Sequence, residues 1–113
     1  MSTVKTFLVV ACVLLMTCGM AKAERTIKVV ASFSILGDMV KNIGGDRVNV
    51  TTLVGADGDV HAYEPTPAAA KAVNEADLVV VSGLGLEGWL DRLIKASGYN
   101  GVVVVASTGV KTR

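Results

Sequence analysis

The sequence contains one histidine, His61, and it stands among carboxylates: Asp57 and Asp59 precede it and Glu64 follows. A neutral imidazole is the commonest metal ligand among side chains. Carboxylates nearby can ligate the same ion or orient the ring. His61 is therefore the candidate metal ligand. Its segment, residues 55–67 (GADGDVHAYEPTP), also carries both prolines, Pro65 and Pro67. Proline locks its own backbone angle, so the pair makes the exit from the loop rigid. Asp57 and Asp59 flank Gly58 and suit a turn better than a ligand set, and Glu64 reads as solvated. A zinc site takes about four ligands, so a single histidine does not complete one.

Two other patterns could do chemistry. Gly83, Gly85 and Gly88 form a literal G-x-G-x-x-G between a strand-like and a helix-like run, the spacing of a dinucleotide-binding turn. That turn belongs after the first strand, and an acid about 20 residues on should hold the ribose. Here the motif follows the third strand and the acid is missing. A glycine turn that lets the helix pack close to the sheet is expected instead. Asp57-Gly58-Asp59 resembles the paired aspartates of haloacid-dehalogenase-like phosphatases, in which one carboxylate attacks and the other donates a proton. The strand should run straight into the first aspartate, but Gly55-Ala56 intervenes, and His61 stands where a threonine is expected. An exported phosphatase-like hydrolase using Asp57 and Asp59 is the alternative reading. The segment is no EF-hand loop, since Gly58 falls at the second position and the later ligands are absent.

The elements that must position these residues read clearly. Residues 27–33 (IKVVASF), 48–54 (VNVTTLV), 78–82 (LVVVS) and 102–106 (VVVVA) are strand-like runs rich in valine. The last two are apolar enough to be covered on both faces. Between the first two, Ile35, Leu36, Met39, Val40 and Ile43 recur at helical spacing, with Ser34 as cap and Gly44-Gly45 as stop. Thr66-Pro67 opens a second helix, with a hydroxyl for a free amide and a proline that loses no hydrogen bond. Its buried side is Ala69, Ala72, Val73 and Ala76. A third helix spans 87–97, with Trp89, Leu90, Leu93 and Ile94 as its stripe and Gly98 as its end. Strands alternating with helices imply an α/β fold, a parallel sheet with helices on both faces. Ligands of such sheets bind outside the carboxyl ends of the strands. His61, in the loop after the second strand, lies at that edge.

Length and composition bound the rest. The 113 residues carry a formal net charge of +1, which leaves no basic footprint for nucleic acid. Residues 1–23 read as a signal peptide. Lys5 is the positive end, residues 7–16 form an apolar core shorter than the ~20 residues of a bilayer span, and Ala21-Lys22-Ala23 is the cleavage site. Both cysteines, Cys12 and Cys18, fall inside it. Leu15-Met16-Thr17-Cys18 resembles a lipoprotein box, but Thr17 stands where that box takes Gly, Ala or Ser. A lipid anchor at Cys18 is thus the second choice. A mature chain from Glu24 has no thiolate, so nitrogen and oxygen must hold any metal.

The leader, VASF near the mature start, LVGADGDVHAYEPTP, and ADLVVVSGLGLEGWL together resemble the metal-binding periplasmic proteins of ABC importers. This zinc/manganese solute-binding family also includes adhesin-type lipoproteins, and His-x-Tyr-Glu-Pro-Thr-Pro is a motif quite specific to it. The resemblance implies two α/β lobes joined by a long rigid helix, with the metal clamped between them. His61 would be the first ligand, from the N-terminal lobe, and the remaining ligands would lie beyond residue 113. Residues 24–113 then read as an incomplete N-terminal lobe, from a fragment or a truncated gene product. The implied function is periplasmic capture of zinc or manganese and delivery to an ABC permease in the membrane. It would act without catalysis or nucleic acid, as a monomer. Zinc is the first choice on the Irving–Williams order, and a surface adhesin is a further alternative. Intact-mass measurement of the exported protein is expected to place its first residue at Glu24, whereas a lipid adduct on Cys18 would establish the anchor instead.

Overall fold

Valine runs build the sheet. The computed structural model describes residues 25–113, so the expected signal peptide and Cys18 lie outside the described residues. Strands β1 (Ile27–Phe33), β2 (Val48–Val54), β3 (Leu78–Val81) and β4 (Val102–Val105) pair in the order β2-β1-β3-β4. Each pairing is parallel, and Val30 sits opposite Thr51 on one side and Val79 on the other. Helices α1 (Ser34–Gly44), α2 (Pro67–Asn74) and α3 (Leu90–Ser97) make the crossovers.

Side chains alternate across a strand, and β1 and β3 use that alternation to fill two cores. Val29, Ala31 and Val80 pack with Leu36 of α1. Val30, Val79 and Val81 pack with Ala69, Val73, Trp89 and Leu93 from α2, α3 and the turn before α3. Helices thus cover both faces, as a parallel sheet requires. The chain runs from β1 outward to β2, then back across to β3. The order therefore reverses between β1 and β3, and their carboxyl ends flank the crevice where such sheets bind ligands.

Local signals hold at several element ends. Thr66 accepts the Ala69 N–H at 3.1 Å as the cap of α2. Gly98 ends α3 in the left-handed conformation, φ 70°. Other expectations need correction. Ser34 is the first residue of α1 rather than its cap, and Phe33 occupies the cap position without a side-chain bond. Helix α3 begins at Leu90, three residues later than expected, because Glu87 is bonded to the preceding loop. Of the apolar stripe on α1, Leu36 is buried and Val40 half-buried, whereas Ile35, Met39 and Ile43 are exposed. The stripe is wider than the sheet face beneath it. Strand β4 is not buried either: its four valines are 37–63% exposed. It pairs with β3 on one side, and none of its valines joins either core.

Two buried polar groups yield predictions. The Ser32 hydroxyl is buried on β1 with no hydrogen-bond partner, and a buried polar group without a partner is destabilising. Ser32→Ala is expected to raise the unfolding free energy by about 1 kcal/mol in denaturant titration. A loss of stability would show that the hydroxyl is satisfied. Tyr99 donates its phenol to Val102 O at 2.8 Å. Burial, and then the charge of Asp77, push that phenol above its ordinary 10.0. The folded state therefore holds the proton more tightly than the unfolded chain does. This stabilisation is whole below pH 10.0 and is lost as pH rises through the higher folded value. Denaturant midpoints on either side of pH 10.0 are expected to show the advantage of wild type over Tyr99→Phe shrinking on the alkaline side.

Candidate metal centre

The loop that carries His61 leaves the carboxyl end of β2, where Val54 is buried beneath it. A tight turn comes first, with Gly58 N–H donating to Gly55 O at 3.0 Å. Asp59 then accepts the His61 backbone N–H on Oδ1 at 2.9 Å. The same Oδ1 lies 3.7 Å from His61 Nδ1, beyond hydrogen-bond range but close enough for electrostatic attraction to a ring proton. With Nδ1 turned toward the carboxylate, Nε2 is the nitrogen left free for a metal. The imidazole is 70% exposed.

The backbone on each side of His61 is tied to the core. Trp89 Nε1–H donates to Val60 O at 2.6 Å. The Tyr63 ring meets the Trp89 ring edge-on, with centroids 4.7 Å apart and planes at 69°. Val60 and Tyr63 are half-buried against the same core as α2 and α3. The loop after β2 is thus bonded to and packed against a residue that follows β3.

Glu87 shapes the loop that presents Trp89. Its buried carboxylate accepts Ser82 N–H at 2.5 Å and Gly83 N–H at 3.0 Å. Gly83, Leu84 and Gly85 are successive left-handed residues, with φ of 83°, 55° and 77°. For Leu84 that conformation costs about 1 kcal/mol, and the Glu87 bonds help to hold it. A Cβ on Gly83 would collide with Val105 Cγ1. The close approach that this glycine permits is thus to β4, rather than to the helix as expected. The buried carboxylate of Glu87 already takes the first amides of this turn, and its negative charge there argues against a phosphate.

Of the residues singled out by sequence, the structure brings Asp59 to His61. Asp57 and Glu64 are exposed in the same loop, and neither forms an ion pair with the ring. Among the described residues, no three His, Cys, Asp or Glu side chains gather to hold a metal. This is one imidazole with a carboxylate neighbour, not a closed cage. Sequence reasoning missed Trp89 and Glu87, taking the first as part of a helical stripe and the second as a helix start. One signal was available: a buried indole N–H usually finds an acceptor, and this chain has a single tryptophan.

Comparison with known proteins places this geometry. The model of the family described as "Zinc-uptake complex component A periplasmic" matches residues 29–113. Manganese-binding lipoprotein MntA of Halalkalibacterium halodurans is 44% identical over 90 residues, covering 80% of this chain and 30% of that protein. Manganese ABC transporter substrate-binding lipoprotein PsaA of Streptococcus pneumoniae is 35% identical over 96 residues, covering 78% of this chain and 31% of the relative. The chain therefore spans about a third of the length of these relatives. A solved Mn-bound periplasmic metal binding protein from Candidatus Liberibacter asiaticus superposes with a TM-score of 0.72 at 35% identity, over 78% of this chain and 33% of that one. Zn(II)-bound AdcA from Streptococcus pneumoniae gives 0.63 at 26% identity, over 73% and 18%. Matched over nearly all its described residues, the chain belongs to the periplasmic zinc-uptake component A family.

Proposed function

We propose that this chain is the N-terminal α/β portion of an extracytoplasmic metal-binding protein that passes manganese or zinc to the membrane permease of an ABC importer, with His61 as first ligand. The observation that carries this reading is an exposed imidazole on a loop tied to the core on both sides, at the carboxyl edge of a parallel sheet. A transported ion must be bound firmly and then released. An exposed ring suits this, because solvent and a second set of ligands can reach the same nitrogen.

The chemistry is capture. His61 offers an imidazole nitrogen as donor, and the Asp59 carboxylate lies 3.7 Å from Nδ1. The ion class is supported by the relatives' names, which give manganese for MntA and PsaA and zinc for AdcA. Zinc is favoured by imidazole affinity, and manganese by any excess of oxygen ligands. The relatives are substrate-binding proteins rather than enzymes.

Titration of the intact protein with Mn²⁺ and Zn²⁺ by calorimetry tests this. One ion is expected to bind. His61→Ala should weaken binding by more than the roughly 10–100-fold typical of changes beyond the ligands themselves, and Asp57→Asn should have little effect. Unchanged affinity in His61→Ala would overturn the assignment, and phosphate-ester hydrolysis lost in Asp57→Asn would favour the enzyme.

A further inference from the structure

The His61 ring is 70% exposed, so its placement depends chiefly on the backbone that bears it. The peptide unit joining Val60 to His61 is held at both ends. Its carbonyl oxygen accepts the Trp89 indole N–H at 2.6 Å, and its N–H donates to Asp59 Oδ1 at 2.9 Å. Two bonds on opposite edges of one rigid plane leave it little freedom to rotate. That plane sets how the His61 Cα–Cβ bond leaves the chain.

Asp59 belongs to the loop and moves with it, so the outside reference is Trp89. The indole is 2% exposed in the core shared by α2 and α3. Just before it, Glu87 ties the end of β3 through the Ser82 and Gly83 amides. Tyr63, two residues past His61, packs against the same indole.

From this we infer that Trp89 is a positioning residue for metal capture. Through its N–H it transmits the rigidity of the β3 end to the peptide plane before His61, so that the backbone bearing the imidazole is held in place before the ion arrives and only rotation about the side-chain bonds remains. Preorganisation of this kind favours binding by removing an ordering cost. The inference rests on His61 being a metal ligand.

Trp89→Phe keeps an aromatic ring against Tyr63 and removes the donor. Replacement of Trp89 by benzothienylalanine keeps the indole's size and removes only the N–H. Leu93→Ala, in the same core and outside the loop, controls for general loss of packing. In the intact protein, both Trp89 variants are expected to bind Mn²⁺ and Zn²⁺ about tenfold more weakly, as loss of one hydrogen bond to a buried group would give. They should also speed hydrogen exchange at the amides of residues 57–63 in the metal-free state, while exchange in β1 and β3 stays slow. Leu93→Ala is expected to lower the melting temperature without either effect. Wild-type affinity and loop exchange in benzothienylalanine-substituted protein would overturn the positioning role, as would equal weakening in Leu93→Ala. Loss of binding in His61→Ala alongside wild-type behaviour in the Trp89 variants refutes this role alone. Binding that survives His61→Ala removes the metal reading and this inference with it.

Discussion

Strand β1 has two buried faces, and the arrangement of the chain follows from that. Val29 and Ala31 face one core and Val30 the other, and all are almost wholly removed from water. Each valine so buried contributes about 1.5–3 kcal/mol relative to an exposed one. A strand covered on both sides needs helices on both sides, so the chain must change faces between β2 and β3. That change puts the carboxyl ends of β1 and β3 at the point where the strand order reverses. The crevice there is a consequence of burying β1 rather than a separate feature.

The candidate site uses that crevice in an economical way. The His61 ring is 70% exposed, so close packing does little to hold it. The loop resolves this by burying its neighbours instead: Val60 and Tyr63 are half-buried while the ring between them is exposed. The glycine-rich turn opposite looks like a phosphate cradle in sequence. In the fold the amides of Ser82 and Gly83, at its start, are taken by the carboxylate of Glu87. That arrangement makes the turn a rigid platform instead of a ligand site.

Apolar periodicity promises contact without naming the partner. Helix α1 shows this, since its stripe is real but only Leu36 and Val40 meet the sheet, and Ile43 is 86% exposed. Strand β4 shows it again. Four consecutive valines read as a buried strand; they do form a strand, yet among the described residues no helix packs over them and they stay exposed.

Short-range physics made much of this protein legible in its sequence. Alternating strand and helix runs implied a parallel sheet with two covered faces. Thr66-Pro67 marked the start of α2 and Gly98 the end of α3, because caps depend on residues within one turn. His61 stood out by residue type and by its place after β2. What the sequence could not show depends on contacts between segments far apart. The strand order β2-β1-β3-β4 is one case, and the exposure of β4 is another. The bond from Trp89 to Val60 spans 29 residues, and no local pattern distinguishes a tryptophan that fills a core from one that also holds a loop. Only folding brings the ends of β2 and β3 to either side of β1, and only there can an indole N–H reach the carbonyl beside the histidine.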